Sequence, residues 1–144
     1  MSEPLLSLAE LTAEEQQLVA SAELAAQRAY CRYSKYAVGA ALQASSGRIY
    51  SGCNVENASY GATLCAERAA VCALVAAGER RIHAVCVYAR AEPMPMPCGV
   101  CRQVISEFCR DATVLVAGPR GVLRRSFKAL LPDAFELSPD EDAP

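Results

Sequence analysis

Two short stretches of the sequence carry residue types whose spacing suits metal chemistry. They are Cys65-Ala66-Glu67-Arg68 and Pro97-Cys98-Gly99-Val100-Cys101. A Cys-x-x-Cys pair at the start of a helix can bring two sulfurs to one ion, and the helix N-terminus favours the thiolate form. A third sulfur from the start of another helix leaves the fourth position open to water, as in catalytic zinc sites. One interpretation of these stretches is therefore a catalytic zinc site.

The acidic and basic residues beside Cys65 fit the same interpretation. Glu67 follows Cys65 too closely to be an easy second ligand, but it is well placed to reach a water molecule on the metal. A carboxylate there can take up and deliver a proton. Three thiolates would reduce the acidity of that water. Arg68 could offset this effect by donating a hydrogen bond to a ligand sulfur.

Other interpretations of the cysteines are open at this point. A Cys-x-x-Cys pair alone also occurs in redox proteins and in structural zinc sites. A structural site needs a fourth ligand, and the single histidine, His83, starts a predicted strand where we expect it at the surface. A redox pair would leave Cys65 and Glu67 unexplained. A non-catalytic scaffold stabilised by zinc is a further alternative, against which the intact Glu67 argues.

Charge and composition limit the partners of the chain. The formal net charge is −2, which argues against binding to nucleic acid, since that binding depends on an excess of Lys and Arg. The first thirty residues lack a basic start and an apolar core, and the apolar stretch 69–77 is too short to cross a membrane. We therefore expect a cytoplasmic protein with neither nucleic acid nor membrane as partner. In that compartment five cysteines should be packing residues rather than disulfides: Cys31, Cys53, Cys72, Cys86 and Cys109.

The hydrophobic pattern predicts an α/β fold. Thr12 and Glu15 form a capping box that starts the first helix, and Ser45-Ser46-Gly47 forms the turn of a hairpin. The predicted elements are helix 12–31, strands 37–42 and 49–55, helix 65–77, strand 82–89, an ordered loop at 91–97, helix 99–110, strands 113–117 and 121–126, and helix 127–131. This order predicts a single mixed five-stranded sheet with helices on both faces. We expect one domain over residues 1–144 with loose ends at 1–10 and 138–144.

Five stretches in the same order resemble the small cytidine deaminases of the homotetrameric type with three cysteine ligands. The resemblance runs from about Tyr30 to Phe135, and a ligand-x-Glu followed by Pro-Cys-x-x-Cys is the zinc deaminase pattern. The matching stretches are Tyr33-Ser34-Lys35-Tyr36 with Val38-Gly39-Ala40-Ala41, Gly52-Cys53-Asn54-Val55-Glu56-Asn57-Ala58, Cys65-Ala66-Glu67-Arg68, Pro97-Cys98-Gly99-Val100-Cys101-Arg102-Gln103, and Leu130-Leu131-Pro132-Asp133-Ala134-Phe135.

This resemblance implies a three-layer sandwich and a specific reaction. Cys65, Cys98 and Cys101 would bind one Zn²⁺ per subunit, and Glu67 would carry protons. The reaction would convert the nucleosides cytidine and deoxycytidine into uridine and deoxyuridine with release of ammonia. The family further implies a homotetramer in which neighbouring subunits complete each other's sites.

The resemblance also assigns residues to substrate binding. Asn54 and Glu56 resemble the pair that holds the ribose hydroxyls, which suits an amide and a carboxylate on one face of a strand. Tyr36 occupies the position of an aromatic residue, often Phe, that packs on the nucleoside. Phe135 resembles a residue that reaches the site of a neighbouring subunit, and Tyr60 one at the subunit boundary. The remaining assignments are substrate contact for Ala66 and support of the ligands for Arg68 and Gln103.

The sequence departs from the family pattern at two places, and two related deaminase activities are alternatives. Tyr stands at 36 in place of Phe, and its hydroxyl could alter affinity or the tolerance for modified sugars and bases. Cys31-Arg32 stands where the family often has Ala-Pro. A deaminase of an antibiotic such as blasticidin S shares the Pro97–Gln103 segment, although the Asn54–Asn57 stretch fits cytidine deaminases better. A polynucleotide deaminase would need a basic, aromatic-lined groove.

Overall fold

A single five-stranded mixed sheet forms the centre of the structure, a computed structural model that describes residues 4–137. The strands lie in the order β2-β1-β3-β4-β5. β3 and β4 run parallel and the other neighbouring pairs are antiparallel, so the predicted fold class is confirmed. Along the chain the strands are β1 Val38–Ala44, β2 Ile49–Cys53, β3 Ile82–Ala89, β4 Thr113–Gly118 and β5 Gly121–Ser126.

Helices cover both faces of this sheet, which makes the fold a three-layer sandwich. α1 lies on one face, whereas α2 and α3 lie on the other and contact each other. Short 3₁₀ helices occur at Leu8–Glu10 and Tyr60–Ala62. The α-helices are α1 Ala13–Ala26, α2 Ala66–Ala76, α3 Gly99–Ser106 and α4 Phe127–Leu130.

Two helices and one strand end earlier than the sequence predicts, because tertiary hydrogen bonds take over their backbone. After α1, Tyr30 N donates to Asn54 O at 2.9 Å, which draws the chain away from the helix axis before residue 31. After α3, Phe108 O accepts from Ile82 N at 2.9 Å and so joins the start of β3. β2 stops at Cys53, since Val55 forms isolated bridges with other segments.

Residues 4–10 are held in place, in contrast to the expected loose end. Leu6 N donates to Val122 O at 2.8 Å, and Val122 N donates back to Leu6 O at 2.9 Å. Leu11 is buried against the α1 face of the sheet. The short bridge thus extends the sheet beyond β5. Residues 1–3 of this end, and the whole of the other expected loose end at 138–144, lie outside the described residues.

Two arginines in or next to β5, Arg120 and Arg124, form ion pairs with carboxylates within the fold. Arg124 binds Glu15 at the start of α1 through two hydrogen bonds of 2.9 and 2.5 Å. Arg120 pairs with Glu92 at 2.6 Å. Each ion pair neutralises an arginine whose charge would be needed to bind the phosphate backbone of a nucleic acid. Within residues 4–137, none of the helices is both long and apolar enough to cross a membrane.

Two glycines let the helices approach the sheet at backbone contact. A Cβ atom at Gly39 would lie 1.9 Å from Ala22 O in α1. A Cβ atom at Gly52 would lie 2.5 Å from Ala70 N and 2.7 Å from Ala66 O in α2. All three distances are far below van der Waals contact. Gly52 therefore fixes the position of α2, and with it the start of the helix beside Cys65.

We predict that Gly52→Ala destabilises the protein and weakens zinc binding together. The added methyl group must push α2 away from β2, which costs about 1–3 kcal/mol in an overpacked core and displaces Cys65. Denaturant unfolding and zinc competition with a chelator measure the two effects. Gly61→Ala is the matched control, because nothing lies within 4 Å of its Cβ position. Equal zinc affinity in both variants would contradict this account of α2.

The Glu15–Arg124 pair gives a pH-dependent stability. The hydrogen bond from Arg124 lowers the pKa of Glu15 below its ordinary value of 4.5. The ionised carboxylate therefore contributes its stability above that value, and the contribution is lost as the pH falls through the lowered pKa. Between about pH 7 and pH 3, the unfolding free energy of Glu15→Gln should fall by less than that of the wild type. The difference between the two should be about 1 kcal/mol or less. Glu14→Gln, on the same turn, should behave like the wild type.

Candidate metal centre

The starts of α2 and α3 bring three cysteine sulfurs together. Cys65 is the N-cap residue of α2, Cys98 is the N-cap residue of α3, and Cys101 lies in the first turn of α3. The three Sγ atoms lie within 4.8 Å of one another. Among residues 4–137 this is the one group of at least three metal-binding side chains at such distances. Cys101 is buried, Cys65 is half-buried and Cys98 is exposed, so the cluster opens to the surface on one side.

The geometry of the cluster fits a zinc ion. Sulfur ligands about 2.3 Å from a tetrahedral zinc lie about 3.8 Å apart, and the Cys65 and Cys98 Sγ atoms lie 4.0 Å apart. Neither N-cap side chain accepts a capping hydrogen bond from its own helix. Both sulfurs are therefore available as ligands, and the positive ends of two helices face the thiolates.

Hydrogen bonds within the cluster favour a thiolate at Cys65. The Cys101 thiol and then the Arg68 guanidinium lower the pKa of Cys65 to about 5. The same contact with Cys65, together with burial, raises the pKa of Cys101. The Cys101 thiol thus keeps its proton and donates it to the Cys65 thiolate. A bound cation would take the place of that proton.

Arg68 supports the cluster from the side of α2. Its Nη2 atom donates to Cys65 Sγ at 3.5 Å and to Thr63 O at 3.2 Å. Its Nε atom is buried and has no hydrogen-bond partner among the described residues. The guanidinium is therefore held between a backbone carbonyl and a ligand sulfur, where its charge offsets that of the thiolates.

Glu67 is one of the few buried charged groups in the described part of the chain. Its side chain is 4% exposed, and it lies in the first turn of α2. Burial and, to a smaller extent, the nearby charge of Cys65 raise the pKa of Glu67 to about 7. The Cys101 thiol lowers it by hydrogen bonding, which places the carboxyl group beside the cluster. Such a carboxyl group can exchange a proton at neutral pH.

Asn54 and Glu56 are both buried, and both hold the segment 33–38 in place. Asn54 Oδ1 accepts from Val38 N at 2.9 Å, and its Nδ2 donates to Tyr36 O at 2.8 Å. Glu56 Oε1 accepts from the backbone amides of Tyr33 and Ser34, each at 3.0 Å, and the Ser34 hydroxyl donates to Oε2. These bonds, the Ser34 hydroxyl first, lower the pKa of Glu56. The two residues lie beyond the end of β2 rather than on the predicted strand.

The other predicted substrate residues lie in different surroundings. Ala66 is buried as the first residue of α2, directly after Cys65. Tyr36 is half-buried, and its hydroxyl donates to Pro93 O. Tyr60 is 72% exposed and packs its ring edge against Tyr33, with 6.0 Å between the centroids. Phe135 is 69% exposed. The two exposed rings therefore have most of their surface free for a contact from outside this chain.

Arg102 is a supporting residue that we did not single out from the sequence. Its Nε atom donates to Pro97 O at 2.7 Å, and Nη1 donates to Leu130 O at 2.9 Å. Gln103 Nε2 donates to Phe135 O at 2.9 Å. The two neighbours thus hold the C-terminal segment to the helix that carries Cys98 and Cys101. An arginine near a helix N-terminus opposes the helix dipole, and that is the signal that could have identified it.

The remaining cysteines are less uniform than expected. Cys86 and Cys109 are buried, whereas Cys31 and Cys53 are half-buried. Cys72 is exposed on α2, so the prediction that it is a packing residue within the subunit is wrong. α2 is apolar on most sides, and that composition hides which side faces the solvent. His83 is exposed, as expected.

Comparison with known proteins supports the interpretation of this cluster as a zinc centre. Residues 12–117 match the family described as the cytidine and deoxycytidylate deaminase zinc-binding region. A cytidine deaminase of Sporosarcina psychrophila is 45% identical over 83% of this chain and 90% of its own. A cytidine deaminase of Mycobacterium tuberculosis is 48% identical over 81% and 86%. The crystal structure of cytidine deaminase from Burkholderia pseudomallei has a TM-score of 0.80 at 40% identity, and the match covers 87% of this chain and 100% of that one.

The fold and the three-sulfur cluster together define a zinc enzyme of the deaminase class. The chain belongs to the cytidine and deoxycytidylate deaminase family, whose cofactor here is one Zn²⁺. The resemblance to cytidine deaminases inferred from the sequence motifs is confirmed.

We predict that Arg68→Gln weakens zinc binding by about tenfold or more, because outer partners of metal ligands contribute effects of this size. The variant loses the cation that donates to Cys65 Sγ. A chelator competition assay measures the change. Arg80→Gln is the matched control, since Arg80 donates to Val75 O and Glu79 O at the other end of α2. An Arg68 variant that binds zinc as tightly as the control would refute the role of this charge.

Proposed function

We propose that this protein hydrolyses cytidine and deoxycytidine to uridine and deoxyuridine with release of ammonia. The observation that carries the proposal is the buried Glu67 carboxyl group beside a three-cysteine cluster that is open on one side. Three protein ligands leave one position for chemistry, whereas a structural zinc site is closed by four. Family relatives that match most of this chain are cytidine deaminases.

The residues of the site would have separate roles in the reaction, metal binding and proton transfer. Cys65, Cys98 and Cys101 would hold zinc, which as a Lewis acid makes water acidic and nucleophilic. Glu67 accepts a proton from the attacking water and delivers it to N3 of the ring while the new C4–O bond forms. Glu67 then carries the second proton to the amino group. The C4–N bond breaks, and one water and one cytosine ring have become one uracil ring and one ammonia.

The nucleoside would bind between the segment 33–38 and the start of α2. Asn54 and Glu56 support contacts to the ribose, because each retains hydrogen-bonding capacity beyond the bonds it makes within the chain. Ala66, buried next to Cys65, would contact the base from the start of α2. Tyr36 would pack its ring against the nucleoside.

The exposed rings support a homotetramer as the working form. Phe135 and Tyr60 are 69% and 72% exposed, and large aromatic rings at the surface are enriched at interfaces. Phe135 would reach a neighbouring subunit's site, with Gln103 holding its backbone. All eight cysteines are free, which supports action in the reducing cytoplasm.

The alternatives are less well supported. A scaffold role for zinc does not require a buried acid beside the metal. A polynucleotide deaminase would need cations that are free for phosphates, whereas Arg120 and Arg124 pair with carboxylates. An antibiotic such as blasticidin S as main substrate is not favoured by relatives that are cytidine deaminases at 45% and 48% identity.

We predict that Glu67→Gln abolishes turnover and retains zinc and fold. The amide keeps the shape of the side chain but cannot carry a proton, and general acid–base catalysis contributes about 10²–10⁴-fold in rate. Ammonia release and the loss of cytidine absorbance should therefore fall together by at least this factor. Glu107→Gln, the same change at an exposed position after α3, should leave the rate unchanged. Normal turnover by the Glu67 variant would sink the mechanism.

A further inference from the structure

The loop between β3 and α3 depends on side chains from other segments for its hydrogen bonds. This 90–97 loop contains Pro93, Pro95 and Pro97, which have no backbone N–H to donate. Inside the loop, one backbone bond joins Met96 N to Met94 O at 2.9 Å. The carbonyl groups of the first and last prolines accept hydrogen bonds from side chains of other segments. Arg102 binds Pro97 O, and the hydroxyl of Tyr36 binds Pro93 O.

Tyr36 joins this loop to the polar network of the segment 33–38. Its carbonyl accepts from Asn54 Nδ2 at 2.8 Å, and its amide donates to Ser34 Oγ at 3.0 Å. The Ser34 hydroxyl in turn donates to Glu56. The backbone of Tyr36 is thus fixed by the proposed ribose-binding residues, and its side chain reaches the loop that leads into Cys98.

The hydroxyl of Tyr36 is directed to the protein and retains its proton. Burial, and then the nearby charge of Glu92, raise the pKa of Tyr36, so the phenol remains a donor at neutral pH. A phenylalanine, which small cytidine deaminases often have at this position, cannot make the bond to Pro93 O. The contact therefore depends on the hydroxyl that this chain carries at position 36.

We propose that the Tyr36 hydroxyl is a positioning group that fixes the 90–97 loop against the segment 33–38 and so pre-forms the nucleoside site. The substrate part of this inference rests on the proposed function. A loop that is already in place costs the substrate no ordering on binding, whereas a loop that opens part of the time reduces apparent affinity in proportion. The group acts on binding and leaves proton transfer by Glu67 unchanged.

The test compares Tyr36→Phe with Glu92→Gln in the zinc-loaded full-length protein. Tyr36→Phe retains the ring and loses only the hydroxyl. Glu92→Gln removes the other side-chain contact at this end of the loop, the exposed ion pair with Arg120, and is expected to change KM less than twofold because such pairs are weak. Hydrogen exchange of the Met94 and Met96 amides is measured beside KM and kcat for cytidine and deoxycytidine.

In Tyr36→Phe the loop amides should exchange with solvent faster than in the wild type. KM should rise by about threefold to tenfold, which is the effect of one hydrogen bond. The increase should be equal for cytidine and deoxycytidine, with kcat within about twofold of the wild type. Equal increases are expected because the hydroxyl touches the loop and does not read the sugar.

Three results would overturn the proposal. Unchanged exchange would mean that the hydroxyl does not hold the loop. Faster exchange with unchanged KM would make the contact purely structural. A KM increase for only one nucleoside would place the hydroxyl against the sugar. If the wild type turns over neither nucleoside, the proposed function fails by itself, and the exchange rates still decide whether Tyr36 fixes the loop.

Discussion

The backbone contact between β2 and α2 at Gly52 is the constraint on which the site depends. Because position 52 has no side chain, α2 lies directly on the sheet, with Ala66 O and Ala70 N closest to the missing Cβ. That approach fixes the first turn of α2, where Cys65 and Glu67 lie. α3 contacts α2 on the same face of the sheet, so the second set of sulfurs arrives at the same point. A metal centre built from two helix starts needs this accuracy, since its sulfurs must lie within one coordination sphere.

Around this centre, each charged group is compensated by a neighbour. Arg68 donates to the thiolate of Cys65, and the helix N-termini add positive potential. Glu67 is the exception, because burial works against its charge and gives it a proton that can be exchanged. Farther out, Glu56 accepts three hydrogen bonds from the segment 33–38. The structure thus combines a rigid polar frame with one group that is free to change its protonation state.

Local signals were sufficient for much of the fold. The capping box of Thr12 and Glu15 forms as predicted, with Glu15 N donating to Thr12 Oγ1 at 3.1 Å, because its partners are three residues apart. The order of the elements and the cysteine spacing follow from equally local patterns. The bond from Tyr36 to Pro93 spans 57 residues, and no local pattern encodes such a partner. Helix ends were predicted too late for the same reason, since distant backbone groups compete for their hydrogen bonds.

The central claim is that three cysteines bind one zinc ion and leave a position open for chemistry. X-ray absorption at the zinc edge of the purified protein tests it most directly. We expect one zinc per chain with three sulfur neighbours at about 2.3 Å and one lighter neighbour. That fourth neighbour should change when a cytosine nucleoside analogue binds. Four sulfur neighbours, or a coordination shell that no nucleoside alters, would contradict the account and favour a structural role for the metal.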